Sequence, residues 1–131
     1  MNKYFFFFAL GITLYVSSCQ TTPFPQGEAA YLSYCASCHM EDGKGLKTLI
    51  PPLAQADYLQ KNSDDLACII RNGLRGPIVV NGQAYDQPMS GIPNLSDVDI
   101  NNILNYIKNA WGNDYGTIKL SEVQAQLEEC K

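Results

Sequence analysis

Two thiols and one imidazole lie within five residues of the chain, at Cys35, Cys38 and His39 in the stretch "CASCH". Cysteines three positions apart on a helix are separated by about one turn, so both sulfurs face the same side. They can then bond to the two vinyl groups on one edge of a porphyrin while the histidine reaches the iron. The spacing therefore predicts covalent attachment of one haem c, with His39 as an axial ligand.

Two other chemistries compete for the same residues. A redox-active dithiol of the thioredoxin type requires a β-α-β context, whereas the sequence around Cys35 and Cys38 favours helix. A structural zinc site requires four ligands, usually from a second Cys or His pair at similar spacing, and the sequence contains no such pair. Haem attachment is the better-supported interpretation.

A second axial ligand has to come from elsewhere in the chain. His39 is the only histidine, and Met40, directly after it, must stay on the same side of the ring. Met1 leaves with the signal peptide described below, so Met89, in the irregular stretch "YDQPMSGIP", is the remaining methionine. The residues alone leave two interpretations of Met89 open: an iron ligand, or a side chain that fills a gap in the core.

The N-terminus has the pattern of an export signal. Lys3 precedes an apolar run over 4–16 that is shorter than the roughly 20 residues of a membrane-spanning helix. The following "VSSC" resembles the lipobox of bacterial lipoproteins, in which the signal is removed before a cysteine that receives lipid. We expect a signal peptide over 1–18, a lipidated Cys19 and a tethering linker over 19–26. The alternative is an ordinary cleavage site near an unmodified Cys19.

Composition narrows the class of protein further. The chain has 131 residues and a net charge of −4 without a basic run, which argues against nucleic acid as a partner. Without its signal it is long enough for one small domain. Five cysteines are an odd number for an exported protein, and Cys68 and Cys130 remain once the other three have roles. We expect these two to form a disulfide, the alternative being two free thiols.

Helical periodicity and end signals predict the secondary structure. Helices are expected over 27–38, from Ser63 to Gly73, from Ser96 to Gly112 and from Ser121 to Cys130. The three serines are predicted N-caps, and Gln124 would complete a capping box with the last of them. Glycines and prolines over 41–54 predict an irregular loop. Asn81 and Gly82 predict the tight turn of a small β-hairpin.

In their order along the chain, these motifs resemble the class I cytochrome c family. The similar stretches are "CASCH", "PPL" at 51–53, "GPIVVNGQAYDQPM" at 76–89 and "LSDVDINNILNYIKNAWGN" at 95–113. The resemblance implies an all-α cytochrome c fold, with short helices around one covalently bound haem and a small β-hairpin before the methionine loop. It implies Met89 as the second axial ligand, and a hydrogen bond from His39 to the carbonyl of Pro51. It also implies that the helix over 95–111 crosses the helix over 27–38.

Two features depart from the family pattern. Met40 stands where the family often has a glycine. Residues 115–131 lie beyond the usual end of the cytochrome c domain, which would cover 27–114, and are expected to form an extra C-terminal helix. We interpret a bond between Cys68 and Cys130 as a clamp for this helix.

The function that the resemblance implies is one-electron transfer rather than enzyme catalysis. We expect a carrier, or a haem subunit of a respiratory chain, tethered by lipid to a bacterial membrane on its periplasmic or cell-surface side. Its partners would be redox proteins. The alternative is a haem c enzyme or gas-binding sensor from which Met89 leaves readily, and the absence of a second histidine weakens it.

Overall fold

Six helices make up most of the regular structure of residues 22–130, the part of the chain that this computed structural model describes. In chain order they are α1 (Pro25–Tyr34), α2 (Ala36–His39), α3 (Asp57–Lys61), α4 (Leu66–Asn72), α5 (Asp97–Ile107) and α6 (Leu120–Glu129). The predicted signal peptide and Cys19 lie outside the described residues. Within that range no helix has the length and apolar character needed to cross a bilayer.

Short strands form two small antiparallel pairs. The strands are β1 (Gly73–Leu74), β2 (Ile78–Val80), β3 (Gln83–Tyr85) and β4 (Met89–Ser90), with β1 paired to β4 and β2 to β3. Asn81 and Gly82, with φ of 50° and 80°, form the two-residue turn between β2 and β3. The predicted hairpin is confirmed, and the rest of the regular structure is mainly helical.

Helices α1 and α5 cross in close contact, as expected. At the crossing Gly27 lies against the backbone of Asn102, and a Cβ at Gly27 would collide with that carbonyl oxygen. The apolar stripe of α5 faces inward, with Ile100, Ile103 and Leu104 at most 1% exposed. This crossing anchors α1, and through it the segment that carries "CASCH".

Helix α1 begins and ends earlier than predicted. It starts at Pro25, inside the segment 19–26 that was expected to be a linker, because proline is well tolerated in a first turn, where its missing N–H is not needed. It ends before Cys35, whose φ of −117° departs from helical geometry. The prediction of one continuous helix over 27–38 is therefore wrong, and the short α2 follows as a separate turn.

Only one of the predicted serine caps is present. Ser96 caps α5, since its hydroxyl oxygen accepts a hydrogen bond from the N–H of Asp99 at 3.1 Å. The prediction that Ser63 caps α4 is wrong. Ser63 lies in a turn over 62–65, and α4 begins only at Leu66. The N-cap position is therefore Asp65, two residues after Ser63.

The predicted capping box of the last helix is also wrong. Ser121 lies inside α6, which begins at Leu120, and Gln124 therefore falls beyond the first turn. The carboxylate of Glu122 instead accepts a hydrogen bond from the N–H of Lys119 at 2.8 Å. The N-cap is Lys119 instead of Ser121, so the helix starts two residues earlier than expected, because the pair of Lys119 and Glu122 satisfies its N-terminus.

Helix α5 ends well before Gly112, contrary to prediction. The side-chain amide of Asn113 donates to the carbonyl oxygen of Ile107 at 2.6 Å, satisfying an acceptor that the end of a helix leaves free. Trp111, with φ of 53°, then turns its indole against the ring of Tyr31, at a centroid distance of 5.0 Å. The buried side chain of Asn113 therefore ends α5 at Ile107, before the chain reaches Gly112.

The C-terminal extension is fastened to the rest of the fold. The side chain of Asn105 donates to the carbonyl of Ile118 at 3.0 Å and accepts from its N–H at 2.8 Å. Val123 of α6 is fully buried. Cys68 and Cys130 are joined as a disulfide, with their Cα atoms 5.5 Å apart. The extra helix is thus an integral part of the domain.

Candidate cofactor site

A largely apolar cavity of about 390 Å³ lies between helices α1, α2, α4 and α5, the loop after α2, and the small strands. This volume is typical of small-molecule and cofactor sites. Among the described residues that line it there is no aspartate, glutamate, lysine or arginine. Such a lining suits a flat apolar ligand and provides no carboxylate or amine for acid–base chemistry.

Cys35, Cys38 and His39 all line this cavity. Cys35 is half-buried, Cys38 is exposed, and His39 is 8% exposed. The N–H of His39 donates to the carbonyl oxygen of Cys35 at 2.9 Å, which closes the turn that contains all three. The structure therefore brings both thiols and the imidazole to the same cavity.

The environment of Cys35 disfavours a redox-active dithiol. Burial, and to a lesser extent the neighbouring Cys38, raises the pKa of the Cys35 thiol to about 11. Cysteines that act as nucleophiles have lowered pKa values, because the thiolate is the reactive form. Together with the helical surroundings, this argues against thioredoxin-like chemistry.

The imidazole of His39 is held by the backbone of Pro51. Its Nδ1 lies 3.1 Å from the Pro51 carbonyl oxygen, to which the Nδ1–H tautomer donates. Burial lowers the pKa of His39, and the hydrogen bond to Pro51 offsets only part of that effect. The ring is therefore neutral at neutral pH, and Nε2 keeps the lone pair that a metal requires.

The loop that presents Pro51 is fixed from two sides. Gly45, with φ of 66°, packs so closely that a Cβ there would collide with the carbonyl oxygen of Ile50. From the segment that follows α5, the buried side chain of Asn113 donates to the carbonyl of Leu53 at 2.9 Å. Nothing in the motifs marked Asn113 as part of the site, yet it ties this loop to the end of α5.

Met89 lines the same cavity, and its backbone is more ordered than predicted. It pairs with Leu74 in the ladder between β4 and β1, so the expectation of an irregular loop is wrong at Met89 and Ser90. Gly91 allows this segment to approach α4, because a Cβ there would collide with the carbonyl carbon of Asn72. The backbone at Met89 is thus held by a two-residue ladder.

Arg71 ties down the chain that follows Met89. Its guanidinium donates to the carbonyl of Pro93 at 2.9 Å and to the carboxylate of Asp97 at 2.7 Å. The side chain of Arg71 is 24% exposed and that of Asp97 is 41% exposed, so this ion pair is only partly shielded from solvent. The sequence carries no local signal for the contact, because the partners belong to different helices.

Met40 is not among the residues that line the cavity. Its carbonyl oxygen accepts a hydrogen bond at 2.7 Å from the hydroxyl of the fully buried Tyr31. Burial raises the pKa of Tyr31, which keeps that hydroxyl protonated and able to donate. The backbone of Met40, at φ 63° and ψ 159°, occupies a region that glycine adopts far more readily.

Comparison with known proteins identifies the family. The profile of the cytochrome c family matches residues 25–111, a span that contains every residue lining the cavity. The chain belongs to the cytochrome c family. Members of this family bind haem c covalently and transfer electrons.

Several curated cytochromes are similar to this one. Cytochrome c-552 of Thermus thermophilus is 38% identical over 88 residues, which are 64% of this chain and 67% of the relative. The cytochrome c subunit of the alcohol dehydrogenase (quinone) of Gluconobacter oxydans is 33% identical over 102 residues, which are 75% of this chain and 21% of that subunit. The corresponding subunit of Komagataeibacter europaeus is 30% identical over 105 residues, which are 74% of this chain and 21% of that subunit. This cytochrome thus spans about two thirds of one relative and about a fifth of the others.

The donors of this cytochrome fit haem c better than a bare metal ion. Within residues 22–130 no three His, Cys, Asp or Glu side chains converge where an ion could be held. A haem brings four nitrogen ligands of its own, so one imidazole and one thioether are sufficient. The apolar lining and the two thiols on one wall suit a covalently attached porphyrin.

The backbone of Met40 leads to a prediction about stability. We expect the Met40→Gly cytochrome to be more stable than the Met40→Ala cytochrome by about 1 kcal/mol, because alanine keeps the Cβ that is strained at this φ and glycine does not. Chemical unfolding of the two purified holoproteins measures the difference. Equal stabilities, or a more stable alanine variant, would show that the turn after His39 is unstrained.

Proposed function

We propose that this cytochrome is a membrane-tethered carrier of single electrons that holds one haem c. It would serve either as a shuttle between redox proteins or as the haem subunit of a respiratory chain. The observation that carries the proposal is that Cys35, Cys38, His39 and Met89 line one cavity from which charged side chains are absent among the described residues. The two cysteines would form the thioether links, and His39 and Met89 would be the axial ligands.

Each of these residues has a defined part in electron transfer. When bound, haem c supplies a one-electron ferric/ferrous couple. The neutral His39 contributes a nitrogen lone pair, and the carbonyl of Pro51 fixes its orientation and raises its basicity. The soft sulfur of Met89 favours the reduced state, which raises the reduction potential. If His39 and Met89 both bound the iron, a substrate would have no vacant position to bind.

Partner proteins would dock where the site reaches the surface. Cys38 is exposed while His39 is buried, so the site reaches solvent at the second thiol. A shuttle needs weak, short-lived contacts of small area at such a place. The relatives that are cytochrome c subunits of quinone alcohol dehydrogenases support a redox enzyme as one partner.

The membrane tether rests on the N-terminal sequence. Lipidation of Cys19 would leave the domain, whose first helix begins at Pro25, on the periplasmic or cell-surface side of a bacterial membrane. Intact-mass measurement of the native protein is expected to show a diacylated or triacylated N-terminal cysteine. A Cys19→Ser variant is expected to lack the mass of the lipid. A native mass that corresponds to an unmodified chain cut elsewhere would contradict the tether.

Optical spectroscopy of the purified protein tests the proposed function. We expect the low-spin spectrum of a c-type cytochrome, with the weak far-red band of iron–methionine bonding in the oxidised form. The reduced form should bind carbon monoxide slowly and should reduce an added high-potential electron acceptor in a single one-electron step. Absence of the far-red band together with rapid carbon monoxide binding would favour a gas-binding sensor or enzyme instead.

A further inference from the structure

The C-terminal end of α4 holds the strand that contains Met89. Directly after the helix, Gly73 and Leu74 form β1 and pair with β4, Leu74 opposite Met89. Beyond β4 the N–H of Ile92 donates to the carbonyl of Ile70 within α4 at 2.9 Å. The backbone on both sides of Met89 is thus fixed to the last turn of α4, and a shift of that helix has to move Met89 with it.

The N-terminal end of α4 has no cap from its own segment. The residue that precedes the helix, Asp65, makes no capping hydrogen bond with its side chain. The amide of Gln126 on α6 makes that contact instead. Its oxygen accepts from the N–H of Ala67 at 3.2 Å, and its nitrogen donates to the carbonyl of Ser63 at 3.1 Å. The side chain of Gln126 therefore provides hydrogen-bond partners both for a free N–H group in the first turn of α4 and for a carbonyl in the turn before it.

Two further contacts fasten α6 at the same place. The disulfide joins Cys130, at the end of α6, to Cys68 in the first turn of α4. Val123 is fully buried, and Leu127 packs against the same core. Helix α6 is therefore fixed to the fold at the start of α4 by the disulfide, by the amide of Gln126 and by its apolar face. The other end of α4 holds the strand of Met89.

We propose that α6 positions Met89, the second axial ligand, and that Gln126 is the positioning residue on this helix. Gln126 and the disulfide fix the start of α4, α4 carries β1, and β1 holds Met89 over the cavity. The inference rests on the proposed function in that it takes Met89 to be the ligand. It adds that the stability of this ligation is set by a segment beyond the family-matched residues 25–111.

Hydrogen exchange in the full-length holoprotein tests this inference, with Gln126→Ala as the variant and Gln124→Ala as its matched control. Gln124 is the same residue type on the same helix and is exposed. Loss of a helix cap typically raises the population of the opened helix about fivefold. We therefore expect exchange over 89–92 to become about fivefold faster in Gln126→Ala and to be unchanged in Gln124→Ala. Carbon monoxide binding to the reduced protein should accelerate by a similar factor, because it requires Met89 to leave.

Further variants and outcomes keep the inference separate from the proposed function. Gln126→Leu retains the apolar contact of the side chain and serves if the alanine variant folds poorly. The Cys68→Ser/Cys130→Ser double variant should show the same localised increase. Equal acceleration over α5 would mean that Gln126 only stabilises the fold as a whole, and no acceleration would mean that α6 does not act on Met89; either result overturns the inference. A wild-type protein without the far-red band would instead contradict Met89 ligation itself.

Discussion

Replacing Met89 with alanine is expected to abolish the far-red absorption band of the oxidised protein and to lower its reduction potential by on the order of 0.2 V. The thioether is the soft ligand that favours the reduced state, and alanine removes it without introducing another donor. Among the described residues that line the cavity, Met89 is the only one with a thioether. Potentiometric titration with optical detection measures both quantities in one experiment.

The chain provides a matched control for this substitution. Met40 is also a methionine close to the site, it follows His39 directly, and it lies outside the cavity lining. Met40→Ala should therefore keep the far-red band and shift the reduction potential by much less than the Met89 variant does. Covalent haem content should be the same in both variants, because neither substitution touches Cys35 or Cys38.

The opposite pattern would change the assignment of the ligand. If the far-red band survived in Met89→Ala and vanished in Met40→Ala, the chain would have to be rearranged around His39. If neither variant lost the band, the sulfur ligand would have to come from outside the chain, since Met1 is the remaining methionine and belongs to the predicted signal peptide.

Local patterns in the sequence were sufficient for much of the fold. "CASCH" places Cys35, Cys38 and His39 within one turn, so its geometry depends on few other parts of the chain. The hairpin follows from Asn81 and Gly82 for the same reason, because both residues tolerate the positive φ that a two-residue turn requires. Where a feature is decided within a few residues, the sequence predicts it well.

Contacts between distant segments were harder to predict. A serine cap was expected for α4, but Gln126 supplies the cap from α6, and no pattern near the start of α4 indicates this. The strand at Met89 was missed for a similar reason. A ladder of two residues exists because Gly73 and Gly91 permit close approach, and its partner strand lies far back in the chain.

One signal in the sequence could have revealed more. Asparagines recur every fourth residue along and beyond α5, at 101, 105, 109 and 113, which places the first three on one helical face. In the structure that face binds the backbone of the tail, through Ile118 and Gly116. A stripe of amides on a helix is therefore a readable sign that an irregular segment lies across it.

The last asparagine of this series, Asn113, connects the end of α5 to the loop that presents Pro51. It is 6% exposed, donates to the carbonyls of Leu53 and Ile107, and accepts from the N–H of Gln55 at 2.6 Å. All three partners are backbone groups that would otherwise need water. Asn113 is thus a structural support for the hydrogen bond between Pro51 and His39.

Asn113→Ala is expected to lower the free energy of unfolding by about 3 kcal/mol, because several buried backbone groups lose their partners at once. Asn101→Ala is the matched control. Among the described residues, its half-buried amide donates to the carbonyl of Ile118 alone, and that carbonyl also accepts from Asn105. The cost of this substitution should therefore stay below about 1 kcal/mol. Urea unfolding of the two holoproteins, followed by haem absorbance, compares them directly. Similar losses for both variants would mean that water replaces the buried amide of Asn113, and that the Pro51 loop is held mainly by its other contacts, including the close packing at Gly45.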